Sequence, residues 1–94
     1  MTNDLITKFC DTHKITAEQC IKISFQKRNS IFGYIVQAAD FNDLRSKNFW
    51  RIVLRNNLQA WQTTRDVNFA KIYNGTEITR LSKATEKDLA EIIL

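Results

Sequence analysis

The 94-residue chain has no proline, only two glycines, two cysteines and one histidine, and each scarcity narrows the class of protein. Without proline or a glycine-rich tract, no stretch is typical of an interdomain linker, and the length is that of one domain. The two glycines make neither of the common phosphate-binding loops, since neither G-x-x-x-x-G-K-[ST] nor G-x-G-x-x-G occurs in the sequence. The cysteines, Cys10 and Cys20, allow at most one bridge, and we interpret both as reduced, apolar side chains.

Long hydrophobic runs are also missing. The longest, residues 52–54, falls far short of the roughly 18 apolar residues that a membrane-spanning helix needs. A secretory leader would begin with basic residues and continue with an apolar stretch. In this sequence Asp4 lies where the basic residues would be, and Lys8 interrupts the apolar stretch. We therefore expect a cytoplasmic protein with no membrane contact. The 44% apolar and 26% charged residues are typical of a folded globular domain.

Residues that carry catalysis or bind metals are few. The single histidine, His13, has Cys10 and Cys20 nearby in sequence, but a structural zinc site needs four ligands in close pairs. Asp40 and Asp43 are a pair of carboxylates in a polar segment, where aspartate usually bonds to nearby backbone amides. We predict that the chain is not an enzyme and that it has no metal and no cofactor.

Helical signals lie towards the two ends of the chain. A cap at Thr2 or Asn3 predicts a helix over residues 3–13, which is the main part of a helical lead-in that we place at residues 1–19. At the other end, Thr85 precedes a short apolar stripe and predicts a helix over residues 84–94.

Between these ends the pattern changes to that of strands. Strand patterns cover residues 21–25, 31–39, 50–55, 69–73 and 76–81. Gly33, inside the second of these, marks a bulge or a sharp bend, and residues 42–48 are predicted to be a polar loop. Asn74 and Gly75, between the last two, are typical of a tight type I′ hairpin turn. Residues 57–66 fit a short helix better than a strand, and both alternatives stay open.

These elements predict an α+β fold in a single domain that spans residues 1–94. About five short antiparallel strands form a small, strongly bent sheet or a partly open barrel over residues 20–83, with helices before and after it. Such an architecture leaves edge strands, which need cover or pair with another copy.

Two stretches of the strand region follow recognisable motif patterns. Residues 72–81, IYNGTEITRL, run as an apolar strand, a polar residue with glycine, and then spaced aliphatic residues. Residues 31–35, IFGYI, place a glycine in a bent strand and are followed by Asp40. Both stretches resemble motifs of Sm-like proteins, small β-barrels of SH3-like shape, although Asp40 lies one residue late and Asn74 stands where the family has a basic residue. The resemblance covers residues 20–83 and implies a small barrel that binds RNA.

Positive charge is concentrated in the same region. Residues 21–83 carry eleven of the 14 basic side chains and four of the 10 acidic ones, whereas both ends are mildly acidic. Aromatic residues are interleaved with them: Tyr34, Phe49, Trp50, Trp61 and Tyr73. Trp50 alternates with aliphatic residues and fits the core, and Trp61 fits a core or interface position, with a stacking platform as its alternative. Arg51 and Arg55 lie four residues apart on one strand and therefore share a face, about 13 Å from each other. Basic groups that follow a backbone and rings that stack on bases are what a single-stranded nucleic acid requires.

We therefore predict a non-enzymatic binding domain for single-stranded RNA, which binds through a basic sheet face. The predicted site residues are Lys27, Arg28, Arg51, Arg55 and Asn74. Two other interpretations stay open. Exposed lysines and arginines also keep small β-proteins soluble and keep their edges from pairing. Alternatively, the chain is a protein-interaction or self-assembly module with no nucleic-acid role, which docks a partner or another copy of itself through a sheet edge or the C-terminal helix.

Overall fold

A computed structural model gives the structure of the chain and describes residues 1–85 and 87–88. The fold is α+β, with five strands in one antiparallel sheet that is strongly bent and not closed into a barrel within these residues. The helices are α1 (Asn3–Thr12), α2 (Phe41–Ser46) and α3 (Leu58–Thr64). The strands are β1 (Ile21–Phe25), β2 (Ile31–Ile35), β3 (Phe49–Leu54), β4 (Ala70–Asn74) and β5 (Ile78–Lys83). Short 3-10 turns occupy Arg55–Asn57, Val67–Phe69 and Gly75–Glu77.

Helix α1 forms where the capping pattern predicts it. The hydroxyl of Thr2 accepts a hydrogen bond from the Leu5 N–H at 3.3 Å, and Asp4 lies in the first turn, where a negative charge favours a helix. Ile6 is 1% exposed and packs into the core, so it attaches the helix to the sheet. The prediction of a helix over residues 3–13 is confirmed, with α1 ending at Thr12.

The inner face of the sheet holds the larger core. The alternation in β1 turns Ile21, Ile23 and Phe25 to this face, and equivalent residues of the other strands join them. The buried members of this inner cluster are Ile6, Ile21, Ile23, Phe25, Ile35, Trp50, Ile52, Tyr73, Ile78 and Leu81. Each large apolar side chain fully buried here contributes about 1.5 to 3 kcal/mol relative to exposure.

A second core lies on the outer face, under α3. Its buried members are Cys20, Tyr34, Val36, Val53 and Trp61. The middle strands are therefore covered on both sides, which explains why β2 and β3 are apolar in consecutive positions. The segment over residues 57–66, for which helix and strand were both open, contains α3, and Arg65, which follows the last residue of α3, has a left-handed φ of 54°.

Gly33 allows two strands to approach closely. A Cβ built on Gly33 would lie 2.7 Å from Ile52 Cγ2 and 2.8 Å from the Val53 carbonyl oxygen. Gly33 is the last residue of β2 that pairs with β1 and the first that pairs with β3, and neither ladder has a register shift, so the bulge that its position suggested is not there. The register shift lies instead between Ser24 and Phe25, where β1 pairs with β5.

The hairpin predicted at residues 69–81 is wrong. The strand order is β4-β3-β2-β1-β5, so β4 pairs with β3, β5 pairs with β1, and the two lie at opposite edges of the sheet. The turn Gly75–Glu77 joins these edges as a 3-10 turn in which neither Asn74 nor Gly75 has a positive φ. The sheet bends enough to bring β4 near β1, which lies three strands away in the sheet: the ring of Tyr73 in β4 lies 5.5 Å from the ring of Phe25 in β1.

Three further predictions need correction or fall outside the structure. The loop predicted at residues 42–48 contains α2, and β2 ends at Ile35 rather than extending to residue 39. Most of the predicted C-terminal helix, residues 84–94, lies outside the described residues. Among the helices that the structure does describe, none has the length and apolar character needed to cross a membrane.

Candidate functional site

Three segments of the chain meet at one end of the sheet. The Gln26 N–H, after β1, donates to the Glu77 carbonyl at 3.1 Å. The Gly75 N–H donates to the carbonyl of Asn48, which precedes β3, at 2.8 Å. The β1–β2 turn, the β4–β5 turn and the start of β3 are thereby held together. We call this region the corner and define it by residues 25–28, 48–49 and 73–77.

Arg28 lies over two aromatic rings at the corner. Its guanidinium carbon is 5.2 Å from the centre of the Phe25 ring and 5.8 Å from the centre of the Tyr73 ring. The rings are buried, whereas Arg28 is exposed. A cation over an aromatic face at an exposed site is stabilised by about 0.5 to 1 kcal/mol, which restricts where the side chain lies. Arg28 is therefore a positioned charge rather than a freely moving one.

A cleft of about 290 Å³ opens beside Arg28. Its lining consists of Phe25, Gln26, Lys27, Arg28 and Glu77. Lys27 and Arg28 are both exposed, and neither forms an ion pair with a carboxylate among the described residues. With two positive charges against the one negative charge of Glu77, the cleft attracts anions.

Asn74 shapes the turn at the corner. Its side-chain oxygen accepts from the Thr76 N–H at 3.0 Å and from the Thr76 hydroxyl at 2.8 Å, which caps the 3-10 turn. The oxygen is thus already in use, and within the described part of the chain the amide nitrogen of Asn74 has no protein acceptor. Asn74 can offer a ligand a hydrogen-bond donor.

Asn48 is a corner residue that the sequence reasoning missed. Its side-chain oxygen accepts from the buried Trp50 indole N–H at 2.9 Å, and its side-chain nitrogen donates to the Met1 carbonyl at 2.9 Å. The backbone has a left-handed φ of 61°, which asparagine tolerates better than most residues. The sequence signal that could have indicated Asn48 is the presence of an asparagine at the junction between a polar segment and a strand.

Arg51 lies on the outer face of β3 and is already paired. Both of its terminal nitrogens donate to the Asp40 carboxylate, with 3.1 Å between Nη2 and Oδ2. The Arg51 side chain is only 13% exposed. The hydrogen bonds from Arg51 hold the pKa of the Asp40 carboxyl below its usual range. A phosphate would have to compete with this carboxylate for Arg51.

Arg55 follows β3 in a different environment. Its Nε is buried and has no hydrogen-bond partner within the described residues. Burial raises the pKa of the Cys20 thiol and of the Tyr34 hydroxyl, and the nearby Arg55 charge opposes both shifts. Val53, which is fully buried beneath α3, lies between Arg51 and Arg55 along the strand. The two arginines therefore do not form one continuous open surface.

The five predicted site residues thus separate into two groups. Lys27, Arg28 and Asn74 all lie at the corner, although Asn74 is distant in sequence from the other two. Arg51 and Arg55 lie further along β3, one paired and one partly buried.

Among the described residues, no hydrogen bond joins the Cys10 thiol to the His13 ring, the two groups considered for nucleophilic catalysis. Burial raises the pKa of the Cys10 thiol to about 11, so the thiol is protonated at neutral pH. The ring of His13 packs against Phe9, with 4.6 Å between the ring centres. Within residues 1–85 and 87–88, no group of three potential metal ligands comes together.

No protein-family model matches the chain, and no curated protein or solved structure gives a significant match. The small antiparallel β-fold is shown by the structure, whereas membership of the Sm-like family stays a proposal.

Proposed function

We propose that the chain is a non-enzymatic domain that binds single-stranded nucleic acid, with RNA as the first candidate, at the corner. The observation that supports this most strongly is the exposed pair Lys27 and Arg28 beside a cleft of about 290 Å³, in contact with a turn that presents the Asn74 amide. Positive side chains at a curved surface contact the phosphates of a flexible strand.

The resemblance to Sm-like proteins supports the same ligand class. The β4–β5 turn belongs to the stretch of residues 72–81 that resembles the second motif of that family, and this turn lies at the corner. In this proposal Lys27 and Arg28 contact phosphates, and Asn74 contacts a sugar or a base. Arg51 and Arg55 contribute to the overall positive potential, since one is paired and the other is partly buried.

The test compares the double variant Lys27→Gln/Arg28→Gln with wild type. Fluorescence anisotropy of a labelled ten-nucleotide oligouridine would be recorded at several salt concentrations. Loss of two phosphate contacts is expected to reduce the slope of log K against log salt by about 1.4, because each contact to a single strand contributes about 0.7. Binding to a duplex of the same length should be weaker than binding to the single strand.

The matched control is Lys8→Gln/Lys83→Gln. It removes the same charge from exposed positions on α1 and at the far end of β5. We expect this control to keep the wild-type slope. Equal slopes in all three proteins, or no binding by wild type at low salt, would contradict the proposal.

A second candidate function is association between copies through the sheet edges. The observation that favours it is the strand order, which leaves β4 and β5 as edge strands, with Ile72 of β4 50% exposed. Unpaired edge strands are templates for pairing with another chain. Sedimentation velocity over a range of concentrations would show concentration-dependent association that Ile72→Lys weakens. A wild-type protein that is monomeric at all concentrations would exclude this function.

A further inference from the structure

Single-strand binding requires an exposed aromatic ring as well as positive charge, because unpaired bases stack on rings. Four of the five aromatic residues that the sequence offered for this purpose are buried: Tyr34, Trp50, Trp61 and Tyr73. The fifth, Phe49, is 36% exposed and is the one aromatic residue among the exposed large hydrophobic side chains. Among the phenylalanine, tyrosine and tryptophan residues that the structure describes, Phe49 is the most exposed, whereas Phe9, Phe32, Phe41 and Phe69 are half-buried.

Phe49 lies at the corner, next to a second exposed apolar side chain. It is the first residue of β3, follows Asn48 directly, and pairs with Asn74 of β4. Trp50 faces the inner core, so Phe49 faces the outer side of the sheet. Ile72 pairs with Arg51 and is 50% exposed, which places it diagonally across from Phe49 on the same side.

These residues form an apolar platform on the outer side of the sheet at the corner, which we define as Phe49 and Ile72. The ion pair of Arg51 with Asp40 lies on one side of the platform. The Asn74 side chain, opposite Phe49, lies on the other and has its amide nitrogen unused by the described residues. The stacking surface and the hydrogen-bond donor are thus adjacent, and the turn from Asn74 to Glu77 connects them to the cleft that Lys27 and Arg28 line.

We propose that Phe49 is the base-stacking residue of this site. A base lies on the Phe49 ring with Ile72 beside it, and the Asn74 amide nitrogen donates to a carbonyl oxygen on the base edge, while Lys27 and Arg28 hold the neighbouring phosphates. The ligand is then a strand whose bases are unstacked, and a duplex is rejected because its base faces are covered. This assignment rests on the proposed function and names the part of the nucleic acid that gives the selectivity.

The test uses two RNAs with the same number of phosphates. One is the labelled oligouridine, and the other has abasic sites in place of its internal bases. Wild type is expected to bind the oligouridine roughly tenfold more tightly than the abasic strand, since only the oligouridine has a base that can stack on the Phe49 ring. Phe49→Leu keeps apolar bulk and removes the ring, so it should lose this preference while its affinity for the abasic strand and its salt slope stay unchanged.

Two further variants make the result specific to the ring. Phe49→Tyr should retain the preference, because tyrosine also presents an aromatic face. Val67→Ala removes an exposed side chain, 51% accessible, from the 3-10 turn that precedes β4 and should bind both RNAs as wild type does.

The outcomes distinguish the two proposals. If wild type binds neither RNA at low salt, the proposed function itself fails. If both RNAs bind and Phe49→Leu keeps the preference for bases, the function stands and the assignment of Phe49 is overturned. Conversion of a wild-type oligomer to a monomer by Phe49→Leu would show that the platform contacts another copy, which also overturns the assignment.

Discussion

At the scale of single residues, Asn48 connects three parts of the molecule through one side chain and one carbonyl. Its oxygen satisfies the buried Trp50 indole N–H, its amide nitrogen bonds to Met1, and its carbonyl bonds to Gly75. A buried donor that loses its acceptor costs about 1 to 3 kcal/mol. Asn48 therefore stabilises the position of the β4–β5 turn relative to the start of β3.

The contact between Gly75 and Asn48 gives a test by substitution. A Cβ at Gly75 would lie 2.1 Å from Asn48 Oδ1, so Gly75→Ala forces the asparagine to move and should destabilise the protein by about 1 to 3 kcal/mol. Urea unfolding would measure this cost in wild type and in an Asn48→Gly background, which removes the obstructing side chain and tolerates the left-handed φ. We expect a clearly smaller cost in that background, and equal costs would refute the contact as the cause.

The site could be predicted from sequence only in part. Lys27 and Arg28 were placed in an exposed turn by the polar run that contains them, and the structure has them exposed. The alternation of β3 put Arg51 on the outer side, but its partner Asp40 is eleven residues earlier, beyond a helix, and no spacing rule indicates that pair. The alternation of Trp50 with aliphatic residues indicated its burial, whereas the burial of Tyr34 and Tyr73 follows from tertiary packing, which local patterns do not contain.

At the scale of elements, α2 is attached to the sheet by an ion pair rather than by a cap. Asp40 occupies the capping position, but its side chain makes no capping hydrogen bond, because its carboxylate bonds to Arg51 of β3. The helix has only six residues and no buried residue. So short a helix is unstable alone, and its contact with β3 stabilises it.

This arrangement predicts a pH dependence. The pKa of Asp40 is lowered in the folded state, so its contribution to stability is complete above the ordinary aspartate pKa of about 3.9 and is lost as pH falls through the lower folded value. Urea unfolding between pH 3 and pH 7 should show wild type more stable than Asp40→Asn near pH 6, with the difference shrinking below about pH 4.

The control for this prediction is Asp43→Asn. The pair between Asp43 and Lys47 is exposed on both sides, at 3.6 Å, and such pairs contribute little. Asp43→Asn should therefore stay close to wild type. A wild-type advantage over Asp40→Asn that is the same at every pH would argue against the ion pair as its source.

Elements with a strong local pattern were predicted, and those decided by distant partners were not. β1 and β3 follow their alternation, and α1 follows its cap. The pair Asn74 and Gly75 gave a strong local signal for a hairpin, but each strand pairs with a different neighbour in the bent sheet. Strand pairing across the whole sheet outweighed the turn preference.

At the scale of the whole molecule, the two cores share the same strands. The inner cluster contains Trp50 and the outer cluster contains Trp61, and β2 and β3 contribute side chains to both. Neither cluster can be exposed without loss of the strands that carry the other. The domain should therefore unfold as one cooperative unit.

The two tryptophans can test this cooperativity separately. In Trp50→Phe the remaining fluorescence reports on the outer cluster, and in Trp61→Phe it reports on the inner one. For each variant, the urea midpoint from fluorescence should equal the midpoint from far-ultraviolet circular dichroism, because the sheet and both cores are lost together. Separate midpoints within one variant would show that the two cores unfold independently.

The strand order also has a consequence for how the chain assembles. Three of the four ladders join strands that follow each other in sequence, whereas β5 pairs with β1, and the Thr79 hydroxyl meets the Ser24 carbonyl across 55 residues. Closing so long a loop is entropically costly, and contacts of this range form slowly. Until β5 arrives, β1 has an open edge, so β5 of a second folding chain can occupy it instead. Strand exchange through β5 would then give an intertwined dimer that needs no new interface.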